Sequence, residues 1–459
     1  MRFHYKPTHL AFKFRISNIF GLQIFNLLRF VSFLLISIYL TRGSLTKGEI
    51  GDFEMLLFIA SAVSFFWVTG IIQTLLPLYN NNSSLSSRGS DQRSPELFNA
   101  FILLSIFSIV IAAMLFLLKG QIRVYNTAQS MPFLIPLLLY IILSNPACLI
   151  EYIYLLNDKP LRMMIYGIIS FGLQILFVLY PLKAGMGLEA AVWGLVIITV
   201  LRYLWLWAML AKFSEMRISF TFLKEHLYLA LPLVVSTLLS GSAQYIDGLI
   251  ATSNFTSNGF AVFRYGAKEL PIAVMLASGL NNSMLPWFRS TDKIKYGMLV
   301  LKKKAARLMH LLFPLSILLL FFSNIIFRLL FTEEFDRSSD IFMVYVLLVT
   351  SRLLFPQTIL IGLKKTKIIM SISFALIIVN IALSVILIKF YGLVGVALAT
   401  VIVFFLEKAA LMAYNYYKLN IKPNEYTPLR LYIFYSIVLL TIFILIDHKV
   451  IMARKFLPF

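Results

Sequence analysis

The chain has 459 residues, of which 60% are hydrophobic and only 13% charged, and its mean hydropathy is +0.87. No water-soluble core takes up that much apolar surface, so a soluble enzyme is excluded and lipid is the solvent for most of the chain. The formal net charge of +21 then reads as Lys and Arg in short loops facing anionic headgroups, not as a footprint for nucleic acid.

Apolar runs long enough to cross about 30 Å of hydrocarbon recur from end to end. The first, 19–40, follows a basic segment (Arg2, Lys6, Lys13, Arg15) and lacks the small-residue cleavage site of a signal peptide, so it reads as a retained helix. On it Gln23, Asn26, Arg29 and Ser32 recur at every third residue, along one slowly turning face. Runs at 55–78, 98–118, 132–155, 163–182 and 190–210 follow. Span seven, 227–251, carries Ser236, Ser240, Gln244 and Asp247 at the spacings of a single helix face. Span eight, 260–287, opens with Arg264, Lys268 and Glu269, passes Pro271 and carries Asn281 and Asn282 near its inner end. Arg264 and Lys268 are one turn apart and are expected to point the same way. Runs at 308–330, 341–363, 368–388, 393–413 and 429–446 bring the total to about thirteen. These later spans are poorer in polar residues, with Arg352, Asn380, Glu407 and Lys408. As sequence neighbours Glu407 and Lys408 are expected on different faces, and one of them is expected to approach Arg202 or Arg352.

The polar breaks between spans are too short for an independent domain, the longest being Asn80–Pro95 and Arg289–Arg307. Their charges orient the chain. With the N-terminus cytoplasmic, inside segments hold about 24 basic residues and outside loops about 8, leaving out the tail after the last helix. The inside set includes Lys302-Lys303-Lys304 with Arg307 and the Lys364-Lys365-Thr366-Lys367 turn; the outside set includes the uncharged 253–258 and the acidic 332–340. An odd number of spans sends Lys449, Arg454 and Lys455 outside, against this bias, so either the last helix re-enters or the count is off by one.

An internal repeat is visible as well. Gly187-Leu188-Glu189-Ala190-Ala191-Val192 opens span six and Gly392-Leu393-Val394-Gly395-Val396-Ala397 opens span twelve. The same shift of about 205 residues sets Arg202 opposite Glu407, and a similar one lays Gly51 over Gly259. The expected fold class is therefore all-α, a polytopic bundle of about 12–14 transmembrane helices in two pseudo-symmetric six-helix lobes. The expected divisions are 19–212, 226–414 and an additional helix and tail at 415–459.

Soluble-enzyme chemistry is poorly represented. There is no phosphate-binding Gly-x-x-x-x-Gly-Lys-Ser/Thr loop and no His-Glu-x-x-His. The five histidines are scattered, and Cys148 lies within an apolar run as filler. No cofactor and no metal site are expected, and the chain does not read as an enzyme. The informative residues are charges at membrane depth, which cost several kcal/mol unless they face water or a partner. In one reading Arg29, Arg264, Lys268, Asn26 and Gln244 line a hydrated, positive cavity for an anion such as a phosphate, which guanidinium groups grip with two parallel bonds. In the other Arg29, Arg264 and Lys268 pair with Asp247, Glu269 or Glu54 and simply hold helices together. Asp247, Glu269 and Glu407 are the candidates for ion coupling, with a structural pair as the competing reading of Glu407. Prolines within spans (Pro77, Pro136, Pro146, Pro232, Pro271, Pro314, Pro356) mark candidate kinks.

Four stretches together carry a resemblance: Lys47-Gly48-Glu49-Ile50-Gly51-Asp52-Phe53; Asp247 followed by Asn258-Gly259-Phe260-Ala261-Val262-Phe263; Phe331-Thr332-Glu333-Glu334-Phe335 with Ser338-Ser339; and Tyr391-Gly392-Leu393-Val394-Gly395-Val396-Ala397. In this order and at these places the chain resembles the polysaccharide-transporter branch of the multidrug, oligosaccharidyl-lipid and polysaccharide exporter superfamily, the Wzx-type O-antigen flippases. The resemblance implies two six-helix lobes around a central cavity in the bacterial cytoplasmic membrane. It implies movement of undecaprenyl-pyrophosphate-linked oligosaccharide from the inner to the outer leaflet, with Arg29 and Arg264 holding the pyrophosphate. The implied partners are that lipid-linked oligosaccharide, membrane lipids, and the glycan polymerase and glycosyltransferases of the same pathway, with no nucleic acid. A drug or organic-cation antiporter on the same scaffold prefers a cavity dominated by carboxylates and aromatics. A membrane-embedded glycan polymerase or ligase needs an outer loop longer than the dozen or so residues found here.

Overall fold

The computed structural model describes residues 17–83, 95–121, 131–288, 294–363 and 365–447. The basic N-terminal residues, most of the 80–95 break, Lys364 and the tail with Lys449, Arg454 and Lys455 lie outside that set. The described residues form helices and turns with no strand, as hydrocarbon demands, because helices satisfy their backbone hydrogen bonds within one segment.

In chain order the helices are α1 (Asn18–Arg42), α2 (Lys47–Ala62), α3 (Phe65–Ser83), α4 (Pro95–Leu118), α5 (Leu134–Ala147), α6 (Leu149–Leu156), α7 (Pro160–Lys183) and α8 (Gly187–Phe213). There follow α9 (Phe220–Gly241), α10 (Ala243–Asn254), α11 (Ser257–Gly266), α12 (Pro271–Met284) and α13 (Ile294–Leu330). The last are α14 (Asp336–Val346), α15 (Val349–Arg352), α16 (Pro356–Gly362), α17 (Thr366–Tyr391), α18 (Leu393–Leu419), α19 (Pro423–Tyr426) and α20 (Leu429–Asp447). Among the described residues nine stretches are long and apolar enough to cross a membrane, or eleven if the bent pairs, α2 with α3 and Glu333–Arg352 with α16, count as one span each. The protein is thus a multi-pass membrane protein. The two further spans expected from sequence, 227–251 and 260–287, are each divided: the first breaks at Ser242 between α9 and α10, the second over residues 267–270 between α11 and α12. These are the spans richest in polar residues, which offer the backbone alternatives to a continuous ladder.

The basic stretch expected as part of a polar break is instead helical from Ile294 onward. Gly297, Met298, Leu301, Ala305 and Met309 form a buried stripe at three- and four-residue spacing, which carries α13 straight into the membrane span. At 37 residues it measures about 55 Å, well beyond the hydrocarbon thickness, and Lys303, Lys304 and Arg307 stand on its exposed side.

The chain folds into two compact units whose segments interleave. Unit one takes Met1–Ser37, Leu75–Ser108 and Ile142–Lys224; unit two takes Ile38–Thr74, Ile109–Ile141 and Glu225–Phe459. In unit one α7 and α8 pack so closely that a Cβ on Gly194 would run into the Phe177 carbonyl oxygen. In unit two α2 lies along α11, and a Cβ on Gly51 would meet the Ser257 carbonyl oxygen. The start of α2 is set locally. The Thr46 hydroxyl accepts from the Glu49 amide at 3.3 Å while Glu49 Oε2 accepts from the Thr46 amide at 2.8 Å, a reciprocal N-terminal cap. The Lys47–Phe53 motif therefore encodes a helix start and a close helix contact. Ser338, in another of the quoted motifs, donates to the Val262 carbonyl at 2.8 Å and ties α14 to α11. The two repeat motifs share a local device, since Gly187 and Gly392 both take positive φ (82° and 58°) where α8 and α18 begin.

Candidate functional site

In unit one the polar residues at membrane depth gather around one aromatic ring. Arg29, on α1, forms an ion pair with Glu151, in the first turn of α6. Glu151 owes its place to the break at Cys148, which ends α5 after Pro146 and starts a new helix whose positive N-terminal end favours a carboxylate in its first turn. The Arg29 guanidinium lies over Phe25 (5.0 Å to the ring centroid) and Phe171 (5.9 Å). Arg202, on α8, reaches the same Phe171 ring at 5.1 Å. Its Nε donates to Ser170 Oγ at 2.6 Å, and its Nη2 donates to Gln174 Oε1 at 2.7 Å and to the Ser170 carbonyl at 3.2 Å. Phe25 stacks on Tyr166, and Tyr166 meets at a tilt the ring of Trp205, whose Nε1 donates to Tyr154 Oη at 3.3 Å. Arg29 and Arg202 are the cations within the spanning portions of α1, α7 and α8, and Glu151 is the carboxylate set against them. The cluster sets two guanidinium groups over an aromatic ring with a carboxylate against one of them, an arrangement whose chemistry suits an anion.

Unit two holds a different arrangement. Asp247, on α10, is fully buried. Its Oδ2 accepts from Tyr345 Oη at 2.8 Å and Thr400 Oγ1 at 2.5 Å, while its Oδ1 has no hydrogen-bond partner among the described residues. Ser384 Oγ donates to Asn380 Oδ1 at 2.9 Å, and Asn380 Nδ2 donates to Thr400 Oγ1 at 3.5 Å, which makes a buried polar network where α10, α14, α17 and α18 meet. No ion pair joins Asp247 to a cation among the described residues. Three cations of unit two are paired with carboxylates close to them. Arg264 meets Glu54 at 3.5 Å and lies 5.6 Å over Phe58; Arg352 grips Glu269 with two bonds of 2.5 and 2.8 Å; Lys408 meets Glu407 at 3.4 Å and donates to Gln357 at 2.9 Å.

Several expectations change in detail. Asn26 is exposed one turn before Arg29, and both belong to unit one, whereas Arg264, Lys268 and Gln244 belong to unit two. Ser236 and Ser240 stand on α9 and Gln244 and Asp247 on α10, so the four do not share one continuous helix; the side chains of Ser240 and Gln244 lie outside the described set. Lys268 falls past the end of α11, where helical spacing no longer applies, and its Nζ sits 4.9 Å over the Tyr265 ring. Glu407 and Lys408 do touch, because a lysine stem is long enough to swing round to its neighbour. Of the strut pairs expected from sequence, Arg264–Glu54 is present, Glu269 is taken by Arg352, and Arg29 finds Glu151, a residue that sequence reasoning passed over. A lone carboxylate in an apolar run was the available signal.

A family model described as polysaccharide biosynthesis protein matches residues 45–340. No curated protein matches the chain. The fold is similar to that of the lipid II flippase MurJ in an inward closed conformation (TM-score 0.64, 16% identity, covering 93% of this chain and 99% of that one). It is also similar to an inward-facing multidrug resistance MATE family transporter of the MOP superfamily (0.62, 15%, 88% and 98%). A third similar structure is a MOP superfamily transporter from Pyrococcus furiosus described by a binding pocket of reverse polarity (0.55, 14%, 91% and 99%). At these identities the likeness shows the fold.

Proposed function

The chain belongs to the family described as polysaccharide biosynthesis protein, and from that premise we propose that it is a flippase. Its cargo is an undecaprenyl-pyrophosphate-linked oligosaccharide, an O-antigen or other surface-polysaccharide repeat unit, carried from the inner to the outer leaflet of the bacterial cytoplasmic membrane. The N-terminus is cytoplasmic, and the glycosyltransferases and glycan polymerase of the same pathway act before and after it. The observation that carries the reading is the pair Arg29 and Arg202 over one aromatic ring at membrane depth, with Arg29 also paired to Glu151. An organic cation would meet repulsion from two guanidinium groups there, whereas a pyrophosphate meets groups whose planar forks match its oxygens.

In this mechanism Arg29 grips the pyrophosphate, with Asn26 beside it, and Arg264, Lys268 and Gln244 complete the cargo's path. Lobes 19–212 and 226–414 give the cargo access to each side in turn, and 415–459 adds a further helix and tail. The breaks at Ser242 and 267–270 supply hinges, since a divided helix bends without opening a continuous ladder. Asp247 takes up a small monovalent cation on the return step, a role supported by its buried, half-satisfied carboxylate among hydroxyl and amide oxygens. Reconstituted vesicles containing the lipid-linked oligosaccharide test the reading. Wild type moves it between leaflets; Arg29→Ala, inserted and folded, does not. Equal movement in the two would reject Arg29 as the cargo site, and failure of wild type to move any diphosphate-linked glycan would reject the function.

A further inference from the structure

Glu151 is not explained by a cargo site built from arginines alone. A carboxylate opposes an anionic ligand, and yet this one is placed squarely on Arg29. The two partners differ in their surroundings: the Glu151 side chain is 7% exposed and that of Arg29 is 41% exposed. The Arg29 side chain is therefore the accessible partner of the pair, while the carboxylate is held by the fold at the start of a short helix set off by the break at Cys148. Breaking a buried pair is normally severe because one charge is left without compensation. Here Arg202, anchored by Ser170 and Gln174, stands over the same Phe171 ring as Arg29. Glu151 thus keeps a positive neighbour when Arg29 turns away.

We propose that Glu151 is a resident competitor for Arg29: it occupies the guanidinium when the carrier is empty, yields it to the pyrophosphate of the cargo, and takes it back as the cargo leaves. The inference rests on the flippase reading and adds a specificity- and release-determining residue to it. A site of bare arginines would hold a diphosphate too well to turn over. An internal carboxylate that re-forms its own charge-assisted bonds lowers the net affinity and speeds departure.

The test is binding of a fluorescent short-chain isoprenyl diphosphate to the full chain in lipid nanodiscs, with the corresponding isoprenol as an uncharged control. Glu151→Gln should bind the diphosphate about tenfold tighter and release it more slowly, the size expected from removing one competing charge-assisted bond. The isoprenol should be unaffected. Glu151→Asp, which draws the carboxylate back by one methylene, should fall between wild type and Gln and serves if the Gln variant folds poorly. In an Arg29→Ala background Glu151→Gln should give no gain. Equal or weaker diphosphate binding in a normally melting Glu151→Gln, or an equal gain for the isoprenol, would overturn the inference and leave the flippase reading standing. Absence of diphosphate binding in every form, wild type included, would reject the cargo itself and the competitor with it.

Discussion

Replacing Asp247 by Asn removes a charge from the interior of unit two and nothing else of comparable size. In the wild type one carboxylate oxygen holds Tyr345 and Thr400, and the other has no hydrogen-bond partner among the described residues. An uncompensated buried carboxylate costs several kcal/mol. The amide oxygen of Asn still accepts from Tyr345 and Thr400, so in a cation-free medium Asp247→Asn should be as stable as wild type or more so, by about 1–3 kcal/mol. A cation that binds the folded wild type alone stabilises it by about 2.7 kcal/mol at a hundred times its dissociation constant. Thermal melting of purified protein in sodium against choline, at equal ionic strength and fixed pH, reads both effects. Wild type should melt higher in sodium, and the variant should melt at one temperature in either salt. A sodium shift of the same size in Asp247→Asn would refute Asp247 as the cation site, and a variant markedly less stable than wild type in choline would refute the view that its charge is uncompensated.

Arg264→Ala should leave insertion intact but reduce glycan export, with Arg264→Lys restoring part of it, because a point charge lacks the fork; full export in a well-expressed Ala variant, scored by surface-glycan staining, would make Arg264 a strut for Glu54. Gly51→Ala should cost about 1–3 kcal/mol in melting by prising α2 from the Ser257 carbonyl, and an unchanged melting temperature would contradict the closeness of that contact. Reporters fused after Lys304 and after Lys365 should report cytoplasm and one within 253–258 the outside; a cytoplasmic signal from the last would reverse the proposed orientation. Outward flipping in vesicles should quicken when the side corresponding to the cytoplasm is made negative, by about 2.3 kcal/mol of driving force per net charge per 100 mV, and a rate blind to the sign of an imposed potassium-diffusion potential would exclude voltage assistance.

Much of the fold was legible because hydrocarbon thickness sets a length scale that a one-dimensional sequence records directly. Each undivided apolar run became a helix, and the Thr46–Glu49 spacing marked the start of α2. Arg29, Arg264 and Asp247 also stood out, since each is rare at membrane depth. Helix continuity was harder to read. In span seven a single 3.6-residue period placed Ser236 and Asp247 on one face, whereas the break at Ser242 resets the phase between them. In span eight the same assumption joined Arg264 to Lys268 across the end of α11. The basic 294–307 stretch erred the other way, its charges masking a buried stripe that keeps it helical.

Composition and hydropathy were enough to establish the solvent, the class of fold and the small set of residues whose burial demands a reason. Only packing settled how those residues are partnered: Arg29 with Glu151 at a separation of 122 residues, Arg352 with Glu269 at 83, and Asp247 with two hydroxyls and, among the described residues, no cation. The physical reason is that hydropathy and helical period are properties of neighbours along the chain, whereas an ion pair depends on which helix faces pack together, and no local spacing carries that information.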